Sequence, residues 1–294
     1  MSKSIVYFTK DINPSNIVKI YKAFNRPLKG KVGIKISTGE MGGHNYLNPE
    51  LIGEFVDYID GTIVECCTAY GGSRQEVAKH WDTIKAHGFL PRFKVDLLDE
   101  HGEIDLPIID GHHLSYDRVG KSLDDYDSFV ILSHFKGHAM GGFGGALKNI
   151  SIGFASTLGK LNIHSAGTSL DQSYVWSHLP AQDDFLESMA DADAAVIRHV
   201  GERNMVYISV ANRLSVDCDC DSDPAEPEMG DLGIFASLDP VALDKACYDA
   251  VKNSADPGKA ALIERMDSRH AAHILDAAKD LGLGSLDYEI VNLD

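Results

Sequence analysis

No stretch of this 294-residue sequence approaches the length of apolar chain that a membrane-spanning helix requires. Its first residues run straight into a strand-like segment, with neither the apolar core nor the cleavage site of a secretory leader, and we expect a cytoplasmic protein. Cysteine is scarce and odd in number: five residues, placed as Cys66-Cys67, Cys218-x-Cys220 and Cys247. That pattern excludes the even framework of a small secreted disulfide domain and points to a metal, a cluster or free thiols. Basic residues are outnumbered, 27 Lys plus Arg against 44 Asp plus Glu, for a formal net charge of −17 spread along the chain. Nucleic acid and anionic membrane are therefore poor candidate partners. A homodimer is allowed for. Internal repeats and low-complexity tracts are also lacking.

What is present is enough apolar material, 44% of residues, for one large α/β domain or two lobes sharing a cleft. Short β-rich runs alternate with helical ones: 4–8 then 15–24, 31–37 then 49–59, 62–67 then 74–88, and 93–98. Such alternation predicts a mostly parallel twisted sheet flanked by helices, an α/β fold with two Rossmann-like lobes and a cleft between them. The expected division is 1–127 and 128–294. Asn13-Pro14 and Asn48-Pro49 mark helix starts, and Gly88 marks a helix end. Residues 165–184 read as irregular, 205–211 as a strand, and 217–231 as an acidic loop. Beyond them, 234–237 reads as a buried strand feeding a helix from Asp239-Pro240, 259–281 as one long helical stretch, and 288–293 as a last strand.

The apolar strand at 128–132 runs directly into a segment with five glycines between Gly137 and Gly145. Ligands of open α/β sheets bind where the chain leaves the carboxyl end of a strand, so chemistry is expected here. Gly142, Gly144 and Gly145 allow close backbone approach to an anion. His134 and His138 are candidate metal ligands or proton carriers, and Lys136 and Lys148 candidate anion contacts, with Lys148 also a catalytic candidate. The bland alternative is a surface loop with solvated lysines and a packed histidine. Cys218 and Cys220, two residues apart, suit half of a soft-metal site completed by the loop histidines or by Cys66-Cys67. The surrounding Asp217, Asp221 and Asp223 are expected to raise thiol pKa and disfavour a metal-free nucleophile. Lys35 lies inside an apolar strand and must either meet an anion or form an ion pair. The chain leaves that strand through a second glycine-rich turn, Gly39 to Gly43, and Arg74 closes a third, after Gly71-Gly72. These three turns are expected to converge on one edge of the sheet. His112, His113, His270 and His273 lie outside them, and packing is their default reading.

His134-Phe135-Lys136-Gly137-His138, residues 142–149 (Gly-Phe-Gly-Gly-Ala-Leu-Lys-Asn), Cys218-Asp219-Cys220 and residues 239–244 (Asp-Pro-Val-Ala-Leu-Asp) together resemble the domain-of-unknown-function 362 family. Tyr70-Gly71-Gly72-Ser73-Arg74 and Leu281-Gly282-Leu283-Gly284 resemble further signatures of it, so that the likeness covers nearly the whole chain. Many members carry an inserted ferredoxin-like segment with two Cys-x-x-Cys-x-x-Cys runs between the equivalents of His164 and Phe185. Here that interval holds no cysteine, so intrinsic iron–sulfur clusters of ferredoxin type are not expected. The order His-x-x-x-Gly-x-Gly-Gly-x-x-Lys, His138 to Lys148, is also similar to the nickel-pincer lactate racemase family. There the corresponding histidine and lysine serve a covalently modified nicotinic-acid nickel cofactor and its substrate.

These readings together predict a metal- or cofactor-dependent enzyme of redox or isomerase type acting on a small anionic molecule. His134, His138 and Lys148 are its expected catalytic groups. Lys35, Lys136, Arg74 and the glycines are expected to bind the anion or cofactor, while Cys218, Cys220, His134 and His138 would hold a transition metal (Fe, Zn or Ni). The alternative is a non-catalytic metal-binding or electron-transfer accessory protein.

Overall fold

A computed structural model describes residues 3–294. The first part of the chain contributes β1 (Ser4–Thr9), α1 (Pro14–Ala23), β2 (Val32–Lys35), α2 (Pro49–Ile59), β3 (Thr62–Glu65), α3 (Val77–Ala86) and β4 (Val95–Leu97). A hairpin of β5 (Glu103–Pro107) and β6 (Tyr116–Gly120) leads to the buried strand β7 (Ser128–His134). A second, smaller hairpin follows, β8 (Lys136–His138) and β9 (Gly142–Gly144), and then α4 (Ala146–Phe154), α5 (Thr157–His164), α6 (Gln172–Val175) and α7 (Gln182–Val200). The chain closes with β10 (Met205–Ala211), β11 (Gly233–Ser237), α8 (Pro240–Asn253), α9 (Lys259–Ser268), α10 (His273–Asp280) and β12 (Tyr288–Asn292).

Eight strands form one sheet in the order β12-β1-β11-β10-β7-β2-β3-β4. Every pairing is parallel except the two made by β11, which runs against both β1 and β10. Strands from before and after residue 128 thus pair directly, β2 with β7, within the same sheet. All seven residues of β7 are buried, because successive side chains enter opposite layers. Phe129 and Ile131 join the core under α4, α7, α8 and α10, and Val130 and Leu132 join the core under α1, α2 and α3. The result is an α/β fold with helices on both faces of a mostly parallel sheet.

Helix boundaries follow local chemistry. The Asn13 side chain accepts the Asn16 N–H and Asn48 accepts that of Leu51, each just before a proline at the first helical turn. Asp239 does the same for α8 through the Ala242 N–H. Five residues further on, Asp244 reaches across to accept the N–H groups of Ala146 and Leu147 at 2.7 and 2.9 Å, so that one helix caps another. The run from 259 to 281 is not one helix. It breaks between α9 and α10 at a turn where His270 takes φ +48°, and the Ala271 methyl packs against Gly142 of the β8–β9 hairpin. Within the interval expected to be irregular, residues 172–175 form the short α6.

Candidate active site

The carboxyl ends of β2, β3 and β7 lie side by side, so the turns after Lys35, Glu65 and His134 converge as expected. They enclose an inner recess of about 50 Å³. It adjoins an outer cavity of about 500 Å³ with which it shares Lys148, Lys160, Ile152, Thr68 and Cys220. The residues bordering the recess include five cations, Lys35, Arg74, Lys136, Lys148 and Lys160, all nearly sealed from solvent or only narrowly open to it.

Two of the five are neutralised by carboxylates. Arg74 donates to Glu65 at 2.6 Å and approaches Glu40 at 3.5 Å; Lys136 donates to Asp219 at 2.7 Å. Burial alone would raise the Glu65 carboxyl, but Arg74 and then His80 hold it well below the usual range. Asp219 is likewise held low against its burial, by Lys136 and His134. Lys35, Lys148 and Lys160 have no carboxylate within 4 Å among the described residues. Lys35 donates to the Ile36 carbonyl at 2.7 Å and to Asn149 at 3.3 Å, and burial lowers its ammonium to about 8. Lys160 donates to the Ala155 carbonyl, and Lys148 faces the Cys220 sulfur at 3.8 Å. Burial acts to lower Lys148 as well, but Cys220 and Cys218 outweigh it and raise the group. None of the three is in direct contact with a carboxylate; opposite charge reaches them at longer range, from Glu65 for Lys35, from Cys220, Cys218 and Asp219 for Lys148, and from Asp99 and Asp117 for Lys160. Ammoniums so placed are costly to maintain.

Two histidines line the outer cavity in complementary tautomers. His138 Nδ1 accepts the Gly141 N–H at 2.8 Å, which leaves its proton on Nε2. His164 Nδ1 donates to the Lys160 carbonyl at 2.7 Å, which leaves the lone pair on its Nε2. Burial, followed for His138 by the charge of Lys148, lowers the two to about 3 and about 4, so both are neutral at pH 7. Cys218 lines the same cavity. A hydrogen bond from Cys220, assisted by Lys148 and Lys136, brings its thiol to about 6 in spite of burial, while the same contact pushes Cys220 up to about 11. The Cys218 thiol is thus lowered, contrary to the expectation from its aspartates, by the Cys220 contact first and the lysines second, while Cys220 is raised.

A family model described as "Domain of unknown function (DUF362)" matches residues 32–249. The chain belongs to this family. Among solved structures, the fold is similar to the lactate racemase apoprotein from Thermoanaerobacterium thermosaccharolyticum, with TM-score 0.51 and 14% identity over 84% of this chain and 57% of that one. A protein from Thermotoga maritima aligns with TM-score 0.46 and 12% identity over 79% of this chain and 57% of that one. The chain thus spans a little over half the length of these two structures. No protein of curated function matches the sequence.

Within this DUF362 chain, Lys35, Arg74, Lys136, His134, Lys148, Gly144 and Gly145 all border the recess, with Cys66 and Cys220. Close packing requires glycine at 145, where a Cβ would lie 2.4 Å from the Asp244 carboxylate, but not at 144, where it would meet the Lys136 side chain at an ordinary 3.5 Å. Gly142 faces the α9–α10 turn at φ +80°. The metal set expected from Cys218, Cys220, His134 and His138 is not assembled. His134 spends both ring nitrogens, on Asp219 at 2.8 Å and the Asn212 carbonyl at 2.6 Å, and His138 keeps its proton on the nitrogen that is left. His164 Nε2, Cys218 and Cys220 face the outer cavity beside the carboxylates of Glu40, Asp217 and Asp221, but among the described residues no three of these donors are gathered closely enough to hold an ion. Sequence reasoning missed Lys160 and His164. Their spacing of four on α5, which sets both on one helix face, was the available signal.

Proposed function

We propose that this DUF362 chain is an enzyme of isomerase type that shifts a proton on a small anionic molecule, a short carboxylate by preference. What carries the reading is the set of three ammoniums, Lys35 and Lys160 buried and Lys148 partly buried, facing one recess without carboxylate partners in contact. The anionic group enters the recess and satisfies them. The rest of the molecule occupies the outer cavity, between His138 and His164. His138 presents an N–H and can donate to a developing oxyanion, and His164 presents a lone pair and can take a proton. Lys148 contributes to holding both imidazoles neutral. An anion bound at Lys148 offsets that field and raises the basicity of His164, so the substrate's own charge prepares the base that acts on it. A metal or organic cofactor, if the chain uses one, would draw on His164 and the Cys218 thiolate and would add electrophilic chemistry.

The likeness to a lactate racemase supports the choice of substrate class, since that protein's name specifies a small 2-hydroxy acid. The test is a thermal-shift panel of short 2-hydroxy and 2-oxo carboxylates beside inorganic phosphate, followed by NMR of substrate Cα–H exchange in D₂O with the best binder. Binding that Lys148→Met weakens, and exchange that His164→Ala abolishes, is the expected result. An unresponsive wild type, or binding equal in Lys148→Met, overturns the proposal.

A further inference from the structure

Apart from the residues that line the recess, six side chains from three segments meet on the surface of α7. Asp183, Asp184 and Glu187 stand on its first turns, His270 on the α9–α10 turn and His273 at the start of α10, and His113 on the loop between β5 and β6. Donor atoms of Asp183, His270 and His273 lie within 4.8 Å of one another, as do those of His113, Asp184 and Glu187. Glu187 joins the two groups: one carboxylate oxygen is 2.8 Å from His273 Nε2 and the other 2.6 Å from His113 Nε2. His270 Nδ1 is 2.6 Å from Asp183.

We propose that this cluster binds divalent transition-metal ions of the Zn²⁺ class, with Glu187 bridging the two groups. Three imidazoles distinguish it from an acidic patch, because nitrogen and carboxylate oxygen together are the donor set of zinc. The present contacts are hydrogen bonds, and little movement converts them. Two ligands on a tetrahedral ion, each about 2.0–2.1 Å from it, stand about 3.3 Å apart, some 0.5 Å more than the observed N···O separations. The half-exposed positions of Asp183, Asp184 and His270 leave an entry path from solvent. An ion here fastens the β5–β6 loop, the start of α7 and the α9–α10 turn together. That turn packs on Gly142, and Gln182, beside Asp183, donates to the Met140 carbonyl at 2.9 Å. Met140 and His138 line the outer cavity, so the ion braces one wall of it.

The experiment uses the full chain, stripped with chelator and then titrated with ZnCl₂ and, separately, CoCl₂. Expected are one or two ions retained per chain after gel filtration, a raised melting temperature, and cobalt d–d bands without thiolate charge-transfer absorption. His273→Gln, His113→Gln and Glu187→Gln, each first shown to melt like wild type in chelator, lose the retained ion and the shift. No retained ion, retention equal in all three variants, or a thiolate band placing the ion at Cys218 overturns the proposal. None of these readouts depends on anion binding in the recess.

Discussion

Replacing Lys35 with methionine, which keeps the length of the side chain and removes its charge, separates a ligand-binding lysine from a structural one by the sign of the stability change. The ammonium falls from 10.5 to about 8 on folding, chiefly through burial. A group whose pKa is lowered in the folded state binds fewer protons there, so stability rises with pH between about 8 and 10.5, and below that window the fold bears the full penalty. At about 1.4 kcal/mol per pH decade, the penalty is roughly 3 kcal/mol. Against it stand two hydrogen bonds, to the Ile36 carbonyl and Asn149, worth about 1 kcal/mol each. Lys35→Met is therefore expected to stabilise the ligand-free chain by about 1–2 kcal/mol at pH 7, a rise of a few degrees in melting temperature. It should also abolish the rise in stability above pH 8. Anion affinity should move the other way. A charge about 4 Å from the anion contributes roughly 4 kcal/mol at an effective dielectric of 20, less what desolvation takes, so a loss of tenfold or more is expected. Urea melts from pH 6 to 10, with and without the best-binding carboxylate, measure both effects. A variant less stable than wild type at pH 7 that binds the anion equally well would refute the reasoning.

Gly153→Ala sets a methyl where a Cβ would lie 2.8 Å from Lys35 Cε and 2.9 Å from its Nζ, inside α4. Helix propensity favours the alanine by about 1 kcal/mol, so the fold should persist while calorimetry records weaker anion binding. Cys218 should alkylate with iodoacetamide at a rate that is half-maximal near pH 6, ahead of Cys220, and Lys148→Met should move that midpoint upward, as peptide mapping by mass spectrometry would record. Asp117 is buried with both carboxylate oxygens unpartnered, and burial pushes it up to about 8. Its folded-state pKa is raised, so its contribution to stability is present at low pH and is lost as pH climbs from about 4 to about 8. Asp117→Asn should remove up to a few kcal/mol of that slope in urea melts at pH 5 and pH 8.

Much of the scaffold was legible because its signals are local. Asn13, Asn48 and Asp239 announce helices through bonds to residues three positions on, and the alternation of short strands with helices states the parallel sheet outright. The direction of β11 was not legible, since a short buried strand reads the same either way. The break before His273 was missed because nothing within 259–281 forbids a helix; the packing of Ala271 on Gly142, far off in sequence, decides it. The site divides along the same line. Its glycine-rich turns could be found from composition, but the partner that occupies His134 lies 85 residues away, and only folding reveals that this ring is spoken for. Lys160 and His164 sit on an ordinary-looking helix, and their importance comes from what α5 faces. The lowered Cys218 thiol is a further case: its sequence neighbours are acidic, and the Cys220 contact and the lysines that lower it are set by the fold.

On the proposed function, the three recess lysines also bear on how long the protein persists. Lys35, Lys148 and Lys160 come from β2, α4 and α5, and the recess exists only once β2, β3 and β7 are zipped together, so a partly folded chain offers an anion nothing to hold. By mass action, a ligand that binds only the finished fold adds RT ln(1 + [L]/Kd) to its stability. The empty chain is thus the one that opens more readily to proteases and the filled chain the one that survives. On the proposed function, the amount of this protein in a cell would rise and fall with the supply of its anion.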